Sequence, residues 1–185
     1  MSEESKILLH ACCGPCASAS VEKLRQEGLE PVLYYANSNI YPENEWDKRR
    51  MFVERLADIL EVRLIIEPYT HEEWKVRVRG LESEPEGGSR CRACFSYNLE
   101  LSAAKARTLD IPRFTTTLTV SPHKKSGTIF EVGQRFAGFL PADFKKRSGY
   151  KRSVELSRRF ELYRQDYCGC EYSLRERGKS PPSEC

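Results

Sequence analysis

Seven of the eight cysteines in this 185-residue chain fall into three short groups, Cys12-Cys13-Gly14-Pro15-Cys16, Cys91-Arg92-Ala93-Cys94 and Cys168-Gly169-Cys170, with Cys185 alone at the end. Thiols this close together at a turn or a helix start can reach one metal ion or one iron–sulfur cluster. The groups are too far apart for a zinc ribbon, because what reads as a whole βαβαβα unit separates Cys16 from Cys91. The fold itself has to assemble the site. A tetrahedral zinc or a cubane takes four protein ligands, so seven thiols exceed what one centre uses.

Within the groups, Cys12 and Cys13 are adjacent, and adjacent side chains diverge in extended chain. They serve one centre only if the backbone turns, which Gly14-Pro15 permits; otherwise one of them faces a second metal or the substrate. Cys16, near a helix start, is a ligand or a reactive thiol. Cys168 and Cys170 can chelate a metal or form a small, strained and easily reduced disulfide ring. No role is expected for Cys185 in its Pro-rich tail. Cysteines in a reducing compartment point to metal or redox chemistry rather than to structural disulfides, with iron–sulfur favoured over zinc.

Other polar residues are less specific. His10 alternates with Cys12 along the first strand, so both face one side, as a core histidine or a proton donor. His123 lies in a basic loop, where it can donate a proton or touch phosphate. Asp143, beside Lys145-Lys146-Arg147, can be a surface carboxylate, an oxygen ligand or a proton source. Tyr34, Tyr35, Tyr41, Tyr163 and Tyr167 can stack a splayed nucleobase, the first two reading more simply as core.

The net charge of +3 hides an asymmetry: residues 1–90 hold 12 basic and 17 acidic side chains, residues 91–185 hold 18 and 10. The second half therefore carries a positive field suited to a polyanion, through Lys124-Lys125, Lys145-Lys146-Arg147, Lys151-Arg152, Arg158-Arg159, Arg175 and Arg177. A mean hydropathy of −0.59 and apolar runs that, like Leu64-Ile65-Ile66, fall far short of ~20 residues exclude a spanning helix. No secretory leader is legible at the N-terminus, and the expected location is cytoplasmic.

The elements that must position these groups read as strand 6–11, helix 17–26, strand 31–36, helix 42–60, strand 62–66, and a helix opened by a Thr70/Glu73 capping box. A loop over 81–90 then delivers Cys91 and Cys94 to a helix over 92–108. A strand over 114–118, the Ser121–Lys125 loop and helices over 128–139 and 153–164 follow. Such alternation predicts one α/β domain over 1–174 with a parallel sheet between helices, a mostly helical C-terminal part, and a flexible tail over 175–185. Ligands gather at the carboxyl ends of the strands of such sheets, where Cys12 and Cys13 fall.

The chain resembles the QueH-type epoxyqueuosine reductases. The resemblance rests on Leu8-Leu9-His10-Ala11-Cys12-Cys13-Gly14-Pro15-Cys16, Tyr41-Pro42-Glu43-Asn44-Glu45, Arg90-Cys91-Arg92-Ala93-Cys94, Phe114-Thr115-Thr116-Thr117-Leu118, Ser121-Pro122-His123-Lys124, Asp143-Phe144-Lys145-Lys146 and the run from Leu162 to Cys170. It implies a HUP-like (Rossmann-like) α/β core and the last step of queuosine biosynthesis, removal of the epoxide oxygen from epoxyqueuosine at the tRNA wobble position. It implies a [4Fe–4S] cluster and no cobalamin. Carried over by motif, Cys12, Cys13, Cys91 and Cys94 are cluster ligands, with Cys168 and Cys170 a redox pair or further ligands. An alternative has three thiols and Asp143 hold the cluster while the remaining thiols bind a mononuclear iron or zinc.

A cysteine-rich turn stands where related α/β enzymes place a phosphate loop, so no ATP requirement is expected. Partners are tRNA carrying epoxyqueuosine and an electron donor, with His10, His123 or Asp143 supplying protons. The competing readings are a zinc-stabilised RNA-binding module and a thiol–disulfide oxidoreductase acting through Cys91 and Cys94.

Overall fold

The computed structural model describes residues 5–177. Four strands, β1 (Lys6–His10), β2 (Glu30–Tyr35), β3 (Leu64–Ile66) and β4 (Phe114–Thr116), form one sheet in the order β3-β2-β1-β4. Every pairing is parallel. This is the α/β architecture that the alternating pattern predicts. The two central strands are buried on both faces and read as continuous apolar runs, as helix-covered parallel strands must.

Alternation along those strands sorts the core into two layers. Ile7, Leu9, Leu33 and Tyr35 face α1 (Gly14–Gln26) and α2 (Glu43–Leu60), through Val21, Leu24, Val53 and Leu56. Leu8, Val32 and Tyr34 face α4 (Ser89–Thr108) and α5 (Ser126–Gly133), through Phe95, Leu99, Ala103, Ile129 and Val132. A smaller cluster of Trp74, Val78, Tyr97 and Cys170 joins α3 (His71–Arg77) to α4. Helix α6 (Gly149–Arg159) packs along α1, and α7 (Glu171–Arg177) ends the described chain.

Several boundaries differ from the sequence reading, each for a local reason. The fourth strand stops at Thr116 and continues as a 3-10 turn over Thr117–Val120, because Thr116 Oγ1 accepts the Leu118 N–H and ends the extended run. The predicted helix over 128–139 is α5, which ends at Gly133. The chain then turns so that Phe139 lies beside Phe114, with the Phe114 N–H on the Gly138 carbonyl and the Leu140 N–H on the Phe114 carbonyl. The predicted helix over 153–164 is α6, one turn earlier. The capping box does not form: Thr70 Oγ1 pairs instead with Ser38 Oγ, tying β3's exit to β2's. Helix α7 takes in the first residues of the expected tail; the rest of that tail, Cys185 included, lies outside the described residues.

Candidate metal centre

Strand order places the site. From β1 the chain steps outward through β2 to β3, then crosses to the far side of β1 to form β4, so the crossovers diverge between the carboxyl ends of β1 and β4. Such a switch point leaves a crevice for a ligand. Cys12 leaves β1 there, opposite Thr117 at the end of β4. The Cys12 N–H donates to Thr117 Oγ1 at 3.0 Å, and the Thr117 hydroxyl donates to Cys12 Sγ at 3.2 Å.

The turn that follows brings adjacent thiols together. Cys13 is the extended residue before α1, and Gly14 and Pro15 start the helix. Gly14 is required by packing: a Cβ there would lie 2.8 Å from the Phe52 carbonyl oxygen of α2. Cys16 follows in the first helical turn. The sulfur atoms of Cys12, Cys13 and Cys16 all lie within 4.8 Å of one another, and Cys12 and Cys13 are 3.9 Å apart. Among the described residues no other group of three ligating side chains is so close.

These thiols share their protons unequally. Cys13 is held well below the ordinary thiol range by hydrogen bonds from Cys12 and Cys16, against the cost of burial, with help from the first-turn N–H of α1 and from Gln165. Gln165 Nε2 donates to Cys13 Sγ at 3.2 Å. Donating to Cys13 pushes Cys12 up to about 12, and hydrogen bonds to Cys12 and then Cys13, with burial, push Cys16 well above its usual value. The turn favours negative charge at Cys13 over its two neighbouring thiols, a donor set that a cation completes by displacing protons.

The other four cysteines form a second group. Cys91 and Cys94 sit one turn apart on α4 and share a face. Cys168 and Cys170 flank Gly169 just before α7, close enough that each raises the thiols of Cys91 and Cys94, where burial is the main cause. Burial also raises Cys170, which packs with Trp74, Tyr97 and Cys94. The Gly87 N–H donates to Cys91 Sγ at 3.2 Å.

Two ions fasten the segment that carries Cys168 and Cys170. The buried Arg49 of α2 is held by Glu45 at 2.7 Å and donates to the carbonyls of Cys168 at 3.2 Å and Tyr167 at 3.4 Å. Tyr163 donates to the same Glu45, Tyr167 to the Tyr41 carbonyl, and the Tyr41 N–H to the Gly169 carbonyl. Lys124 stands between the sulfur groups. Burial opposes its charge, yet Cys168, Cys12 and Cys16 raise the ammonium above its ordinary range.

His10 lies on the same side as Cys12, as the alternation predicts, and is fully buried, with Nδ1 2.9 Å from Thr116 Oγ1. Burial lowers its pKa to about 4, opposed by the nearby Asn37 side chain and Ala36 backbone. His123 is exposed, its N–H on Ser121 Oγ. Asp143 is half-buried, with Oδ1 lacking a hydrogen-bond partner. Tyr34 and Tyr35 are core, Tyr163 and Tyr167 spend their hydroxyls on the fastening, and Tyr41 stays 42% exposed.

The residues that sequence reasoning missed are Thr117, Gln165, Lys124 and Arg49. Thr117, Gln165 and Lys124 lie inside the motifs quoted above, but an ordinary polar residue gains its meaning only from the thiol it meets from a distant part of the chain.

The family model described as Epoxyqueuosine reductase QueH matches residues 7–176. The chain belongs to the QueH family. It is 42% identical to the protein named Epoxyqueuosine reductase QueH from Streptococcus pyogenes serotype M1, over 96% of this chain and 73% of that one. It is 36% identical to the proteins of the same name from Staphylococcus epidermidis, over 95% of this chain and 79% of the relative, and Staphylococcus aureus, over 94% and 77%. The QueH match takes in all three cysteine groups, the Arg49 fastening and the Ser121–Lys125 loop.

Proposed function

We propose that this chain reduces epoxyqueuosine to queuosine at the wobble position of tRNA, using iron–sulfur chemistry and no cobalamin. Its family and the name shared by its relatives support the reaction. The observation that carries the chemistry is the convergence of Cys12, Cys13 and Cys16 at the sheet's switch point. In the reaction both C–O bonds of the epoxide break, the two carbons become an alkene, two electrons enter, and the oxygen leaves as water after taking two protons.

The first donor set fits a metal ion, and the other four thiols are assigned to a second centre. Metal–sulfur bonds of about 2.3 Å give a tetrahedral edge of about 3.8 Å, and the Cys12–Cys13 separation of 3.9 Å matches it. Cys12, Cys13 and Cys16 would hold one iron or zinc ion with a fourth position open. Cys91, Cys94, Cys168 and Cys170 supply the four thiols that a [4Fe–4S] cluster needs. The motif-based set of Cys12, Cys13, Cys91 and Cys94 is, in this reading, divided between the two. When bound, the two groups supply single electrons and a Lewis acid for the departing oxygen.

The protein's own residues do the rest. Lys124 offers positive charge where negative charge gathers between the sulfur groups. Asp143 and His123 are the proton sources proposed, and fully buried His10 is kept neutral near pH 7. Lys145 Nζ donates to the Lys124 carbonyl, joining two basic loops into a rim with Lys125, Lys146 and Arg147 that would grip tRNA phosphates. Exposed Tyr41 is the side chain placed to stack an unpaired base. No helix among the described residues is long and apolar enough to cross a membrane, and the proposed setting is the cytoplasm, where thiols stay reduced.

The test is anaerobic purification with iron, sulfide and zinc analysis, then incubation with reductant and epoxyqueuosine-containing tRNA. Queuosine in the nucleoside digest is expected. Fully loaded protein that yields none would overturn the proposal. Stoichiometric zinc in colourless protein, with tRNA binding indifferent to the modified base, would identify a binding module instead.

A further inference from the structure

We infer that Gln165 and Thr117 are positioning residues that set the direction and electron donation of the Cys13 and Cys12 sulfur atoms. The inference rests on the metal reading of the Cys12/Cys13/Cys16 turn and adds two residues to it. Each of the two thiols meets one neutral donor from a distant element. Gln165 reaches Cys13 Sγ at 3.2 Å from the segment after α6. Thr117 reaches Cys12 Sγ at 3.2 Å from the 3-10 turn after β4, and its oxygen accepts the Cys12 N–H at 3.0 Å, closing a small ring that fixes the Cys12 side chain. Cys16 Sγ, by contrast, hydrogen-bonds with its two neighbouring thiols.

A hydrogen bond to a ligating sulfur stabilises its anion, orients its lone pairs and draws electron density away from the metal. Being uncharged, an amide and a hydroxyl do this without repelling a cation. Neither donor is free to turn aside. Thr117 is fully buried, and Gln165 sits between Tyr163, held by Glu45, and Tyr167, whose hydroxyl is on the Tyr41 carbonyl and whose own carbonyl accepts from Arg49. The segment that carries Cys168 and Cys170 thus also completes the surroundings of Cys13.

The experiment is a Co(II) titration of reduced, metal-free protein in a Cys94→Ser background, so that the first sulfur group reports through its thiolate-to-metal charge-transfer absorption. Gln165→Leu and Thr117→Val are expected to shift that absorption and weaken Co(II) binding ten- to a hundredfold. Thr117→Ser, which keeps the hydroxyl, is expected to restore both. Far-UV circular dichroism reports folding, and the near-isosteric Gln165→Met replaces the leucine variant if that one does not fold. An unchanged absorption and affinity in folded Gln165 and Thr117 variants would overturn the inference and leave the metal site standing. No thiolate absorption in the parent protein would overturn both.

Discussion

Cys12, Cys13 and Cys16 come from one turn of chain at the end of a strand, whereas Cys91, Cys94, Cys168 and Cys170 come from two segments that meet only in the folded protein. The difference extends to their surroundings. The first group is polar: the Cys12 and Cys16 thiols, the helix start and the Gln165 amide favour a negative sulfur at Cys13, while the Thr117 hydroxyl donates to Cys12. The second is apolar around Cys94 and Cys170, with Trp74 and Tyr97 as neighbours, and burial raises the thiols of Cys91, Cys94 and Cys170. The first is a preset anionic seat. In the second, Cys91, Cys94 and Cys170 become anionic only as metal charge displaces their protons.

Removing one sulfur from each group gives the sharpest contrast and the largest effects. Cys13→Ser takes the preset anion from the first group and is expected to lower queuosine formation by about a thousandfold or more, since the ion that would polarise the epoxide loses its seat. Iron and sulfide at the second group should remain. Cys94→Ser should instead strip the iron and sulfide and leave one thiolate-bound ion. Metal analysis of both proteins, beside nucleoside analysis of the product, checks the division. If either substitution empties both groups, the two are one centre and the comparison fails.

The second prediction uses pH. Cys91, Cys94 and Cys170 are raised above the ordinary thiol value, so each holds its proton near neutrality and must release it to bind metal. In the first group Cys12 and Cys16 are raised, whereas Cys13 is held well below the ordinary thiol range and gives up its proton more readily. Each proton released makes affinity fall about tenfold per pH unit of acidification. Uptake at the second group is therefore expected to weaken at least about tenfold more per unit than at the first. Chelator competition from pH 8 to pH 6, with Cys94→Ser reporting the first group and Cys13→Ser the second, measures both slopes; equal slopes would erase the distinction.

How much of this was legible in the sequence follows the same divide. The first group could be read from spacing, because Gly14-Pro15 marks the turn that lets neighbouring thiols converge, and the alternation of strands and helices placed it at a carboxyl edge. The second group could be named but not assembled, since no spacing foretells that Arg49 of α2 grips the carbonyls of Tyr167 and Cys168. The threonine run shows the limit most clearly. Its composition says strand, yet Thr116 holds His10, Thr117 holds Cys12, and the Thr115 and Thr119 hydroxyls donate to the Leu140 and Ala142 carbonyls. Propensity records a backbone preference and says nothing about which distant partner each hydroxyl meets.

Gly169→Ala tests whether the second group depends on that grip. Gly169 has φ +128°, and a Cβ there would stand 2.9 Å from Arg49 Nη1 and 3.3 Å from Ile40 Cγ1. Alanine must move the turn or the guanidinium, at a cost on the order of 1–3 kcal/mol. Metal affinity at the second group is expected to fall about tenfold, with the first group's Co(II) absorption changed little. Equal losses at both would mean that the turn supports the whole edge rather than one group.

The smallest effect on metal is expected at His10, which is fully buried with Nδ1 on Thr116 Oγ1. Its folded pKa of about 4 lies below the ordinary 6.5, so the unfolded chain binds the extra proton first as pH falls. Stability tied to His10 is therefore complete above pH 6.5, declines between 6.5 and 4, and is lost once the folded protein also takes the proton. A shift of that size corresponds to about 3 kcal/mol. Replacing His10 with Asn keeps a polar group near Thr116 and removes the titration, so the fall in melting temperature from pH 7 to pH 4.5 should flatten while Co(II) affinity at pH 7 stays within about threefold. An unchanged acid slope would show that the loss belongs to other groups, and a large drop in Co(II) affinity would make His10 part of the preset seat.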